Sequence, residues 1–208
     1  GGLDPKPCPL CQFHTGLIWS PVLGGKAEKP NIEMEDLMQE RPQVITMKGS
    51  PLTLLGPELQ TGDAAPDFRV VDTDLNPVTL KDIKHKVLII STVPSLDTPV
   101  CDMETRRFNT EAANLGSEVK IVTVSMDLPF AQKRWCGAAG VDQVMTVSDY
   151  QEASLGQNFG VLIKELRLLA REVFVLDQSR IIRYVQLVPE VTEEPNYEPI
   201  LQAAKDLL

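Results

Sequence analysis

Sulfur carries most of the reactive chemistry available to this chain, as Cys8, Cys11, Cys101 and Cys136. Histidine is scarce, with only His14 and His85. A Ser-His-Asp hydrolase or a multi-histidine metal centre would have to be built from that pair. His85 sits in Lys84-His85-Lys86, which reads as a solvated turn before a strand. A general base must reach its nucleophile within hydrogen-bond distance, so histidine catalysis is set aside.

Cys101 has the most informative surroundings, the run Pro94-Ser95-Leu96-Asp97-Thr98-Pro99-Val100-Cys101. Ahead of it, Val87 to Val93 is continuously apolar and β-branched, the pattern of a central strand covered on both faces. Behind it, Val100 to Leu115 predicts a helix, with Met103, Phe108, Ala112 and Leu115 at near-helical spacing. Thr98 is a good N-cap and Pro99 suits the first helical position. Cys101 then falls in the first turn, among unpaired N–H groups at the positive end of the helix dipole. Both favour thiolate over thiol. The Thr98 hydroxyl is free to turn toward the sulfur or a substrate oxygen. A buried structural thiol is a common fate of cysteine. The strand–turn–helix setting argues instead for a reactive one.

The elements that must position this thiol follow a regular order. Residues 1 to 42 are rich in proline and glycine without a sustained period, and read as a flexible extension. Residues 43 to 208 read as one domain. Val44 to Lys48 and Leu52 to Leu55 predict a hairpin around Gly49-Ser50. Phe68 to Asp72 is a strand before a turn at Asp74 to Pro77. Val119 to Met126 and Gln143 to Val147 are further strands, with a short helix over Phe130 to Ala139 between them. Leu155 to Phe159 is a helical turn. Glu172 to Asp177 and Ile181 to Leu187 make a second hairpin, and Tyr197 to Leu208 a terminal helix. This order predicts an α/β fold: a thioredoxin-like three-layer sandwich with a mixed central sheet and an added N-terminal β-hairpin.

Composition bounds the partners. Lys and Arg total 20 against 29 Asp and Glu, a net charge of −9, which argues against nucleic acid. No run approaches the ~20 apolar residues of a membrane span. The absence of a secretory pattern and the few cysteines point to a reducing, cytoplasmic setting. Cys8-Pro9-Leu10-Cys11, with His14 nearby, lacks the preceding strand of a redox C-x-x-C and the fourth ligand of a zinc site. It reads as part of the extension, with metal or partner binding, or a redox relay, as the other options.

The run PSLDTPVC resembles the P-x-x-x-T-x-x-C motif of the peroxiredoxins. The wider run STVPSLDTPVCDMETRRFN is similar to the bacterial thiol peroxidase subfamily. So are DLPFAQKRWCGAAG, SDYQEASLGQNFGVLIKELRLLAREVFVLD and LVPEVTEEPNYEPIL. The resemblance covers about residues 43 to 208. It implies that Cys101 is the peroxidatic cysteine, that Thr98 supplies a hydroxyl partner and that Pro94 shields the pocket. Arg171 corresponds to the family's active-site arginine; from the residues alone, Arg106 and Arg107 are its rivals. Cys136 corresponds to a resolving cysteine that forms an intramolecular disulfide with Cys101. A disulfide needs Cα atoms within ~7 Å, so local unwinding at both cysteines is expected. The resemblance further implies a hydroperoxide substrate, thioredoxin as reductant, a homodimer, and no metal or organic cofactor. Leu96, Phe108 and Leu162 are expected to line an apolar pocket for organic hydroperoxides. The competing expectation is a peroxide sensor or redox relay that acts on a partner through oxidised Cys101.

Overall fold

The computed structural model describes residues 39–208. Cys8, Cys11 and His14 lie outside the described residues. The layers are set by β5 (Val87–Thr92), which is buried at every position. Its side chains alternate between two apolar clusters. Leu88 and Ile90 join one cluster with Val122, Val124, Phe174 and Leu176. Val87 and Ile89 join the other with Ile121, Val173 and Val175. A strand covered on both faces needs apolar residues at successive positions, and VLIIST supplies them.

Around β5 lies a seven-stranded sheet of order β10-β9-β5-β6-β7-β3-β4. Its other members are β3 (Arg69–Asp72), β4 (Pro77–Thr79), β6 (Val119–Ser125), β7 (Met145–Ser148), β9 (Glu172–Leu176) and β10 (Ile182–Leu187). The pairs β5–β6 and β6–β7 are parallel and the remainder antiparallel, so the sheet is mixed. One face carries α1 (Pro99–Leu115), α2 (Pro129–Ala139) and α4 (Tyr197–Lys205), which contribute Phe108, Leu115, Trp135, Ile200 and Leu201. The opposite face is covered by a small sheet of β1 (Glu40–Met47), β2 (Ser50–Leu55) and β8 (Leu162–Ile163), together with the short helix α3 (Ser154–Asn158). The hairpin is therefore a full layer of the sandwich. Ile45 and Leu54 are buried in it, each contributing about 1.5–3 kcal/mol by its removal from water.

Three local expectations shift. The first strand starts at Glu40, inside the segment read as an extension. Pro42 masked it, yet β1 is at the edge of its sheet, where a residue without an N–H is tolerated. The hairpin turns at Lys48-Gly49, both with positive φ (50° and 77°) and Met47 paired to Ser50, one residue earlier than expected. Met103 is 49% exposed rather than part of the packed face. The buried positions of α1 are Cys101, Glu104, Thr105, Phe108 and Leu115, a set on one helix face that includes two polar side chains.

The β1–β2 layer is joined to α3 by backbone-to-backbone approach. Gly160 has φ 67°, and a Cβ placed there would collide with the Pro57 carbonyl oxygen. Gly160→Ala combines that clash with a left-handed conformation and should cost about 2 kcal/mol or more of folding stability. Urea unfolding of the two proteins measures it; equal midpoints would refute the close approach.

Candidate active site

The loop between β5 and α1 presents Cys101. Thr98 is extended (φ −100°, ψ 146°) and Pro99 opens the helix, so Cys101 stands third in it. The carbonyl of Thr98 accepts the first helical bond, from Asp102 N at 2.9 Å. The Thr98 side chain caps no helical N–H. Its hydroxyl donates to Ser95 O at 2.9 Å, back into the loop rather than toward the sulfur. Pro94 is buried at the end of the strand. Asp127 fastens the loop from below. One carboxylate oxygen accepts Ser95 Oγ at 2.7 Å, and the other accepts Leu96 N and Ser125 Oγ, each at 2.8 Å.

Cys101 is fully buried, and the group facing it is Arg171, itself 1% exposed. Arg171 Nη2 lies 3.3 Å from Cys101 Sγ and 3.1 Å from Val191 O. Nη1 pairs with the Glu104 carboxylate, while Nε has no partner. Glu104 is also fully buried, and its other oxygen accepts Ser91 Oγ at 2.6 Å. Burial pulls the Arg171 guanidinium down, but Glu104 and Cys101 outweigh it and hold the group above its ordinary value. Burial pushes Glu104 up, against the pull of Arg171 and Ser91. Arginine keeps its charge at any relevant pH, so the pair stands as an ion pair with a thiol on its open side. The rivals are occupied elsewhere. Arg106 binds Asp102 at 2.9 Å and Ala139 O at 2.8 Å, and Arg107 stacks on the Tyr197 ring at 3.9 Å.

Glu104 was not foreseen from the sequence. The available signal was its position three residues after Cys101, which places both on one helix face. The hold on Val191 was not foreseen either. Glu190 accepts from Thr46 Oγ1 (2.8 Å), Lys48 N (2.9 Å), Gly49 N (3.2 Å) and Thr192 Oγ1 (2.7 Å). These bonds draw its carboxyl down to about 2. The β1–β2 turn is thereby tied to the loop whose carbonyl meets Arg171.

Cys136 lies in the last turn of α2 and is half-buried. Its Sγ is 3.2 Å from Thr146 Oγ1. It lines a surface depression of about 300 Å³ with Asp72, Lys133, Asp142 and Met145. Cys101 and Cys136 are both free thiols, and they face different partners. Leu96 and Phe108 share the cluster that contains Cys101. Leu162 does not: β8 pairs with β2, which carries Leu162 into the cluster on the other side of the sheet. The expectation that it lines a pocket at Cys101 is corrected accordingly. Among the described residues, no group of His, Cys, Asp and Glu could hold a metal ion, and no helix is long and apolar enough to cross a membrane.

The fold is the thioredoxin-like fold of the peroxiredoxins. The solved structure of a peroxiredoxin-like protein from Aquifex aeolicus matches with a TM-score of 0.75 and 45% identity, covering 80% of this chain and 98% of that one. The redoxin family model matches residues 60–201. A thiol peroxidase of Bacillus subtilis (strain 168) is 57% identical over 164 residues, 79% of this chain and 98% of the relative. A thiol peroxidase of Staphylococcus aureus (strain MRSA252) is 52% identical over 163 residues, 78% and 98% of the two chains. The chain belongs to the redoxin family, in its thiol peroxidase subfamily.

Two measurements test this electrostatic arrangement. Glu104→Ala leaves a guanidinium buried without its counterion and should cost about 3–5 kcal/mol in chemical denaturation; a loss under 1 kcal/mol would refute the ion pair. The next residue along from Arg171, Glu172, is pushed up to about 8 by burial, with Arg41 opposing. The unfolded chain ionises near ~4.3, so the folded state holds the extra proton between these values. Stability should fall as pH rises from about 4.3 through about 8. Glu172→Gln should flatten that slope, raising the melting temperature more at pH 8 than at pH 5; an equal change at both would refute the assignment.

Proposed function

We propose that Cys101 is the peroxidatic cysteine of a thiol-dependent peroxidase and Cys136 its resolving partner. The observation that carries this reading is the 3.3 Å contact between Cys101 Sγ and Arg171 Nη2 inside a buried site. A fixed cation beside the sulfur is placed to polarise an incoming peroxide. Thiol-dependent peroxide reduction is also the activity in the names of relatives 52–57% identical over most of the chain.

The Cys101 thiolate attacks the terminal oxygen of a hydroperoxide, and the O–O bond breaks. The sulfur becomes a sulfenic acid, and the departing oxygen takes a proton to leave as alcohol or water. Charge developing on the two oxygens meets Arg171 and the N–H groups at the start of α1, fixed in advance; the Thr98 hydroxyl joins them by turning from Ser95 O toward the peroxide. Pro94 keeps water from the sulfur. Leu96 and Phe108 supply apolar surroundings that suit organic hydroperoxides. Cys136 then condenses with the sulfenic acid, and an external dithiol protein reduces the disulfide. Thioredoxin is our choice for that reductant, and the working unit we propose is a cytoplasmic homodimer whose domain begins with β1. Both cysteines stand at helix ends, Cys101 in the first turn of α1 and Cys136 in the last of α2. Ends hold the fewest intrahelical bonds, which supports resolution by local unwinding.

The test is turnover of hydrogen peroxide and cumene hydroperoxide with thioredoxin, its reductase and NADPH. Cys101→Ser should reduce peroxide consumption to background. Cys136→Ser should complete one oxidation and then lose thioredoxin-linked turnover, with Cys101 accumulating as sulfinic acid. Sustained turnover in the first variant would overturn the peroxidatic assignment, and in the second the resolving one. A single oxidation without turnover in the unaltered protein would favour a sensor.

A further inference from the structure

One hydrogen bond joins the residue after Cys101 to the residue before Cys136. Trp135 Nε1 donates to Asp102 Oδ1 at 3.0 Å. Arg106 closes the group: its Nε lies 3.0 and 2.9 Å from the two Asp102 oxygens, and its Nη1 donates to Ala139 O at 2.8 Å. Its guanidinium also stands over the Trp135 ring, 5.8 Å from the centroid. One turn further along α1, Asn109 Oδ1 accepts the N–H groups of Asp142, Gln143 and Val144 at 2.8–3.2 Å. The start of α1 and the end of α2 are thus fastened side by side, with both cysteines next to the fastening.

Successive residues of a helix point about 100° apart. Asp102 reaches toward α2, which leaves Cys101 turned in toward Arg171. Trp135 reaches toward α1, which leaves Cys136 turned toward Thr146. The positions that face one another across the two helices are therefore held by Asp102 and Trp135. A disulfide between Cys101 and Cys136 would link the residues flanking this hydrogen bond, and the turning of the helix ends that it needs would pull Asp102 and Trp135 apart.

We propose that Asp102, Trp135 and Arg106 form a latch whose opening sets how the Cys101 sulfenic acid divides between two fates. This rests on the assignment of Cys101 and Cys136 above. With the latch open, the Cys136 sulfur displaces the sulfenic oxygen, which leaves as water with the thiol proton, and a disulfide forms. With it closed, the sulfenic acid waits at Arg171. A second hydroperoxide then oxidises it to sulfinic acid and departs as alcohol or water. These three are positioning residues: they act on the sulfurs through the helices and touch neither peroxide nor thiolate.

Reduced protein is mixed with one equivalent of hydrogen peroxide, quenched in acid at intervals, alkylated and weighed intact, which separates thiol, sulfenic acid and disulfide. The wild type must first pass through a Cys101–Cys136 disulfide by peptide mapping; if none forms, the cysteine assignment itself fails. Trp135→Phe keeps the ring and removes the donor. Disulfide formation should accelerate about three- to tenfold, the effect of losing one hydrogen bond to a partly solvated carboxylate. The first oxidation should keep its wild-type rate. Half-maximal over-oxidation should need correspondingly more peroxide. Asp102→Asn, which keeps an acceptor but loses the ion pair with Arg106, should shift both readouts the same way and serves if Trp135→Phe folds poorly. Disulfide formation at or below the wild-type rate in folded variants would overturn the latch. So would a parallel slowing of the first oxidation, which would place these residues in the peroxide step.

Discussion

A guanidinium buried to 1% exposure is the constraint on which the rest of the molecule depends. Removing such a charge from water costs several kcal/mol, which only close and well-directed partners offset. Arg171 finds three, two from α1 and one from the loop after β10. Glu104 comes from α1 and is held by Ser91 of the central strand. The Val191 carbonyl comes from the loop after β10, which Glu190 ties to the first hairpin. Cys101 comes from the helix start. The cation is therefore held in place only when helix layer, central sheet and hairpin layer are all assembled. The reactive centre is in this sense a readout of the complete tertiary structure.

The parts of this arrangement that were legible in the sequence are those governed by local rules. The apolar run Val87 to Val93 marked a strand covered on both sides, and it is. Thr98 followed by Pro99 marked the start of the helix to the residue. What stayed hidden depends on contacts far apart in the chain. Glu104 reads as an ordinary solvated charge until Arg171 is known to lie opposite, so Met103 took its place in the expected stripe. Leu162 reads as apolar, but only the pairing of β8 with β2 decides which side of the sheet receives it. The choice among Arg106, Arg107 and Arg171 likewise needed the third dimension, which sets Arg171 against Cys101 and the other two on Asp102 and Tyr197. Proline at position 42 hid a strand because an edge and an interior place opposite demands on the same residue.

The cycle proposed for the two cysteines asks the fold to accommodate an act that partly undoes it. Cys101 is inaccessible and rigidly faced; Cys136 is half-exposed at a helix end capped by Gly140, whose N–H bonds to the Cys136 carbonyl. Glycine in the left-handed conformation closes a helix without strain. In the proposed cycle such a terminus is where opening breaks the fewest intrahelical bonds.

The first strand has a further consequence. Among the described residues β1 forms the rim of its sheet. Pro42 lacks an amide hydrogen there, Gln43 has φ 60°, and the register slips between Arg41 and Ile45. An outer row interrupted in this way is a poor template for strand addition by a neighbouring molecule. The layer that steadies the arginine is thus shielded from edge-to-edge aggregation by the very irregularity that disguised it.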